Sequence, residues 1–232
     1  MIPKDLSSYK SNTVYNPKTM EVMKLHIKGM SLGPLGANCY ILQKENDVLV
    51  VDPGGDAETI IETIEQDGVT PLAILLTHAH FDHIGALDTI RKHYNIDVYL
   101  HEQEKDWLEE SKLNRSKLFT GEDIVTSPPE HVLSEGTFNI GPFLFEVYHT
   151  PGHSPGSVSY VFHEEEKVVS GDVLFYQGVG RTDLPGGDVG DLSDSIKQKL
   201  YTLDDTFTVF PGHGPKTTIG SEKRNNPFIY VR

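Results

Sequence analysis

Cysteine is almost absent. Cys39 is the only one in 232 residues, so no disulfide can form within the chain and no zinc site can be built on several thiolates. Long apolar runs are missing too. The longest, Val48 to Val51 and Leu72 to Leu76, fall far short of the roughly 20 residues of a membrane span. Positive charge is scarce: 20 Lys and Arg face 34 Asp and Glu, a net charge of −14. That balance argues against nucleic-acid binding, which needs a basic face, and against electrostatic docking on anionic lipid. The first residues lack the apolar core of a secretory signal, so a cytoplasmic location is expected. Residues 1–22 are polar and precede further methionines at Met23 and Met30. They are expected to form a disordered extension, leaving 23–232 as a single domain.

What is abundant is histidine, 11 residues in all, and the order of elements shows where they fall. Strands are expected at Lys24 to Lys28, Ala37 to Gln43 and Asp47 to Asp52. Asp56 reads as the N-cap of a helix carrying Ala57, Ile60, Ile61 and Ile64, closed by Gly68. Leu72 to Leu76 is the next strand, followed by a helix from about Gly85 to Tyr94, a strand at Val98 to Leu100 and a short helix at Gln103 to Ser111. Residues 112–136 read as a loop. Strands follow near 137–140, 142–148, 157–162 and 167–171. A helix capped by Asp191 or Ser193 then leads to a last strand at Phe207 to Phe210. Two strand-then-helix halves with polar residues at the strand ends point to an α+β architecture, an αββα sandwich.

The segment His78-x-His80-x-Asp82-His83 leaves a strand end. Chance alone, given the His and Asp content, would place such a cluster in about 0.002 of comparable chains. His78 and His80, two residues apart, project to one side and can grip one ion. Asp82 and His83, at the turn into the next helix, can aim at a neighbouring position. His153 sits on a rigid turn in Pro151-Gly152-His153-Ser154-Pro155-Gly156, with His149 a competitor for the same role. Asp172 follows a strand in Ser170-Gly171-Asp172, where a carboxylate can bridge two cations. His213 ends the last strand in Pro211-Gly212-His213-Gly214. The set closes as His78, His80 and His153 around one ion and Asp82, His83 and His213 around a second, with Asp172 between them. Each ion keeps an open position, the catalytic rather than the structural pattern. Zinc suits these donors best, with iron or manganese as alternatives.

With these motifs the chain resembles the metallo-β-lactamase superfamily, and more narrowly its short, single-domain type II glyoxalases. Val51-Asp52-Pro53-Gly54-Gly55-Asp56, Gly178-Val179-Gly180-Arg181-Thr182-Asp183, Pro211-Gly212-His213-Gly214-Pro215 and the tail Asn226-Pro227-Phe228 extend the match over about residues 24–229. The resemblance implies the αββα fold, with the site at the edge between two sheets. It implies hydrolysis of a small-molecule thioester such as S-lactoylglutathione to a carboxylic acid and a free thiol. Asp82 would be both ligand and proton acceptor. The two-domain relatives carry a lysine where Arg181 stands and aromatic residues where Asp183 and Pro215 stand, so the thiol is left open. Arg181 is read either as a bidentate holder of a substrate carboxylate or as an ion-pair partner of Asp183 or Asp188. Asp52 is read as a support for a ligand histidine, and Cys39 as a small buried hydrophobe. The rival activities on this fold are a mononuclear-iron persulfide dioxygenase and a lactonase. A β-lactamase is disfavoured by Asp172, and a ribonuclease by the negative charge.

Overall fold

The computed structural model describes residues 24–230. The extension expected at 1–22 lies outside the described residues.

Six strands form the first sheet: β1 (His26–Leu32), β2 (Ala37–Lys44), β3 (Asp47–Val51), β4 (Thr70–Leu75), β5 (Asp97–His101) and β6 (His131–Leu133), side by side in that order. The pairs β1–β2 and β2–β3 are antiparallel, and the pairs from β3 to β6 are parallel. Parallel neighbours need a crossover. Helix α1 (Ala57–Asp67) supplies the first, and α2 (Phe81–Ile84) with α3 (Leu87–Tyr94) the second. Between β5 and β6 run a 3₁₀ helix (Glu102–Glu109) and α4 (Ser116–Thr120).

The second sheet contains β7 (Gly136–Ile140), β8 (Phe143–His149), β9 (Val158–Phe162) and β10 (Lys167–Gly171). A small ribbon of β11 (Leu174–Phe175) and β12 (Gly178–Val179) follows, then α5 (Val189–Gln198). The sheet is completed by β13 (Thr208–Pro211) and β14 (Thr217–Thr218), and α6 (Ile219–Asn225) comes next. Its spatial order is β14-β13-β10-β9-β8-β7.

The apolar run in β3 shows why the layers stack as they do. Leu49 and Val51 point into the core between the sheets, among Phe143, Phe145, Tyr160 and Phe162. Val48 and Val50 point the other way, among Ile60 and Ile64 of α1 and Ile90 of α3. A strand covered on both faces must be apolar at every position, which is why it reads as continuous rather than alternating. On the far side Val161, Val168 and Val209 pack with Leu192 and Ile196 of α5. The result is the αββα sandwich expected from the sequence.

Several local expectations differ from what is found. Gly68 closes α1 in the left-handed conformation, φ 65°, as anticipated. Asp56 takes the N-cap position as anticipated, but its carboxylate makes no capping bond and accepts the backbone N–H of Gly33 at 2.8 Å instead. The helix expected from about Gly85 to Tyr94 is α3, which begins at Leu87, and a separate short helix, α2, precedes it. The cap of α5 is Asp188, which accepts from the N–H groups of Gly190 and Asp191, not Asp191 or Ser193. The stretch 112–136 is not a plain loop, because it contains α4 and β6. Buried Asn114 organises it, donating to the carbonyls of Trp107 and Ile124 at 3.2 and 2.8 Å and accepting the Ser116 N–H at 3.0 Å.

Candidate metal centre and active site

The site lies where strands of both sheets end. Past β4, Thr77 begins the turn that carries His78, His80, Asp82 and His83. Past β8, the hairpin to β9 carries His153. Asp172 follows β10 and His213 follows β13. Parallel pairing of β10 with β13 brings the last two side by side.

Three imidazoles meet almost at right angles. His78, His80 and His153 have ring centroids 4.7 to 4.9 Å apart, with interplanar angles of 85 to 89°. Beside them Asp82, His83 and His213 form a second group, and Asp172 sits with His78 and His83. Asp172 reaches both groups: its Oδ2 is 3.6 Å from His153 Nε2 and 3.6 Å from His213 Nε2, and its Oδ1 is 3.5 Å from His83 Nε2. All seven residues singled out by the sequence motifs therefore converge. His213 is partly exposed at the rim and the other six are buried. His149 stays outside: it stacks on His101 at 4.3 Å and donates its Nε2–H to Pro155 O.

Backbone without side chains makes room for this cluster. A Cβ at Gly212 would lie 2.0 Å from Asp172 Oδ1, and one at Gly54 would lie 1.8 Å from the carbonyl oxygen of Asp82. Only glycine permits either approach.

The histidines are oriented from behind. Asp52, buried at the end of β3 in a left-handed conformation, φ 49°, accepts the Nδ1–H of His83 at 3.0 Å, the hydroxyl of Thr77 at 2.6 Å and the Thr77 N–H at 2.8 Å. With its hydrogen given to Asp52, the Thr77 oxygen takes the Nδ1–H of His78 at 3.1 Å. His153 donates its Nδ1–H to the carbonyl of Arg181 at 2.8 Å. Each of these bonds leaves the Nε2 lone pair facing the cluster, the tautomer a metal ligand needs. Asp52 thus has the supporting role read from the sequence. A second carboxylate, which the sequence did not single out, ties the loops together. Glu104, fully buried, accepts the Ala79 N–H at 2.6 Å, the Gly156 N–H at 2.8 Å and the Ser154 hydroxyl.

The donor set fits divalent cations. His78 Nε2, His83 Nε2 and Asp172 Oδ1 are buried without a hydrogen-bond partner, which a folded protein leaves only where something else satisfies them. The electrostatics point the same way. Burial disfavours the charged form of His83, yet Asp82, Asp172 and Asp52 hold its imidazolium up to about 10. Burial opposes ionisation of Asp82 as well, but His83 and His213 keep its carboxyl far below the usual range. Burial and the neighbouring His83 and His80 push His78 well below an ordinary histidine. The carboxylates thus gather positive charge at His83, where a divalent cation would displace the Nε2 proton and take the lone pair beneath it.

A cavity of about 340 Å³ opens over the cluster. His80, Asp82, His153, Asp172 and His213 line its floor, and Leu35, Phe81, Phe119, Phe175, Val179 and Leu184 its walls. Arg181 stands at the rim as the ion-paired residue that one reading anticipated. It is half-exposed and grips Asp183 through Nε and Nη2 at 2.8 and 2.9 Å. Asp188, the other partner considered, caps α5. Phe119 and Arg115, which also lines the cavity, were missed. The signal for Phe119 was the apolar Leu118-Phe119 pair, and Arg115 gave none. Cys39 is buried, with its thiol pushed up by desolvation and by Asp52.

Residues 32–213 match the family described as the metallo-beta-lactamase superfamily. The chain belongs to that superfamily. Within it, the chain is 50% identical over 201 residues to a protein named "Probable metallo-hydrolase YqgX" of Bacillus subtilis (strain 168), covering 86% of this chain and 95% of that protein. It is 38% identical over 195 residues to "Hydroxyacylglutathione hydrolase GloC" of Haemophilus influenzae, covering 83% and 92%. Among solved structures it is similar to the BLEG-1 B3 metallo-beta-lactamase, with TM-score 0.87, 51% identity, and 88% and 99% of the two chains covered. It is also similar to TTHA1623 in a di-iron-bound form, with TM-score 0.79, 40% identity, and 87% and 100% covered. This member of the superfamily is a metal-dependent hydrolase by family, with a His/Asp cluster suited to two metals. No helix among the described residues is long and apolar enough to cross a membrane.

Proposed function

We propose that this metallo-hydrolase cleaves a small-molecule thioester, adding water across the acyl–sulfur bond to give a carboxylic acid and a free thiol. The observation that carries the reading is the meeting of two three-ligand groups on one carboxylate, Asp172, beneath a cavity of about 340 Å³. The relative named a hydroxyacylglutathione hydrolase supports the choice of bond. His78, His80 and His153 would hold one ion, Asp82, His83 and His213 a second, and Asp172 both. When bound, such ions supply Lewis acidity toward an acyl carbonyl and make a water molecule acidic near neutral pH. Zinc suits the donors, and the likeness to a di-iron-bound structure makes iron the alternative.

The chain's own groups do the rest. Asp82, held anionic, would accept a hydrogen bond from the attacking water and so orient it. His213 Nε2 stands 3.2 Å from Asp82 Oδ2, so the two donors converge on one point of the cavity floor. The apolar walls exclude bulk water from the acyl group, which strengthens every charge interaction on the floor. A thiolate is a good leaving group, so no strong acid is required opposite Asp82.

A second reading, β-lactam hydrolysis, draws on the likeness to a structure named a B3 metallo-beta-lactamase. One assay separates the two. Purified protein of known metal content is given S-D-lactoylglutathione and, separately, a chromogenic cephalosporin, with EDTA-treated protein as control. EDTA-sensitive loss of thioester absorbance with an inert cephalosporin supports the proposal. Turnover of the cephalosporin alone overturns it.

A further inference from the structure

Arg115 is a buried cation without an acid. Its residue is 8% exposed, and among the described residues no carboxylate lies within ion-pair distance of it. Nη1 donates to the carbonyl of Lys112 at 2.7 Å and Nη2 to the carbonyl of Pro185, while Nε is buried with no partner. A guanidinium has five N–H donors, so most remain unassigned. The carboxylate whose charge acts on it is Glu104, whose oxygens already accept from Ala79, Ser154 and Gly156. The guanidinium lies 5.4 Å over the ring of Trp107, which itself lies 5.8 Å from the ring of His80. Its backbone takes the left-handed conformation, φ 72°, which arginine adopts only under constraint from its surroundings. An unpaired charge in such a place is costly unless something of opposite sign completes it.

The cavity supplies the place for that partner. Arg115 lines it together with His80, His153 and Asp172. The other arginine there, Arg181, already holds Asp183 in a bidentate pair, so the rim around it has no net positive charge to offer. We infer that Arg115 is the anion-recognising residue of the active-site cavity, and that the substrate is a thioester bearing a carboxylate that lies on the His80 side of the metal cluster. The identity of the reacting group rests on the thioester reading above. The anion site does not, because it follows from the unpaired guanidinium itself. Guanidinium–carboxylate geometry makes the preference directional and stronger than a lysine could provide.

The bland alternative is that Arg115 only braces the Lys112 and Pro185 segments. The two roles separate in a substrate pair that differs in one charge. S-acetylmercaptoacetate and its methyl ester are compared on the metal-loaded protein, reading thiol release for the wild type, Arg115→Lys, Arg115→Gln and Arg181→Ala. The expected result is a lower KM for the acid in the wild type. Arg115→Gln is expected to raise that KM about 10- to 100-fold, the worth of a hydrogen bond to a charged group, and to move the KM of the ester about twofold or less. Arg115→Lys should fall between. A bracing role predicts equal effects on acid and ester, and that outcome overturns the proposal. So does a wild type with no preference for the acid, or a preference that survives Arg115→Gln and vanishes in Arg181→Ala. If Arg115→Gln does not fold, the wild type and Arg115→Lys still decide. If the wild type hydrolyses neither compound, binding decides alone for Arg115, and the thioester reading is decided by the S-D-lactoylglutathione assay. Trp107 is the sole tryptophan, so its fluorescence can be titrated with methylthioacetate and its methyl ester. Saturation by the acid only, weakened in Arg115→Lys, upholds the anion site, and identical titrations remove it.

Discussion

The carboxylate of Asp52 accepts the Nδ1–H of His83 across 3.0 Å, with both groups wholly buried. The two residues stand 31 positions apart, one at the end of β3 and the other within α2. The same oxygen of Asp52 takes the Thr77 hydroxyl, so one carboxylate fixes the rings of His78 and His83 together.

Asp52→Asn is therefore expected to weaken metal binding about 10- to 100-fold, the usual effect of losing the group behind a ligand histidine. Competition against a chromogenic chelator measures it. Unchanged affinity would remove Asp52 from the orienting role.

Asp172 touches both three-ligand groups, so its loss should be felt at both. Asp172→Ala is expected to retain fewer metal ions per chain than the wild type and to lose turnover by about 100-fold or more. Metal analysis by mass spectrometry checks the first effect and the thioester assay the second. Full metal retention would contradict the shared-ligand assignment.

Gly212→Ala tests the close approach at the base of the cluster. The added methyl would overlap Asp172 Oδ1, 2.0 Å from the ideal Cβ position, and displace the carboxylate. A misplacement of this size is expected to reduce kcat about 100-fold while circular dichroism stays native. Wild-type turnover would show that the turn relaxes without moving Asp172.

His101 gives a pH effect on stability. Burial and the stacked His149 push its pKa down from 6.5 to about 4, so the fold holds it neutral. A depressed histidine adds full stability above about pH 6.5 and loses it as the pH falls toward the folded value. Between pH 7.5 and 5 the loss from this group is on the order of 2 kcal/mol. Urea unfolding of the wild type and of His101→Asn, which retains an acceptor for the Gln103 N–H, measures it as a difference of differences. The metal-ligand histidines, common to both proteins, cancel. Equal pH dependence in the two would refute the assignment.

The chain announced its candidate ligands because they occur in short motifs at strand ends, where local spacing already dictates which side chains share a side. It announced the layered sandwich because a strand buried on both faces, such as β3, can contain nothing but apolar residues. It did not announce Glu104, an acid among 34 acidic residues whose Ser154 partner lies 50 positions away. Nor did it announce Asn114, whose three hydrogen bonds turn an apparent loop into structure. The position of Arg115 was equally silent, because a basic residue in a polar stretch looks solvated until the fold closes over it.

The sequence alone determined which residues can bind metal and what architecture would carry them, since both follow from periodicity and spacing within a few residues. The tertiary structure alone decided which histidine tautomers face inward, that Arg181 is paired with Asp183, and that Arg115 is paired with no acid among the described residues. Those outcomes depend on which groups distant in the chain reach hydrogen-bond distance and lose their water, and no local pattern encodes that.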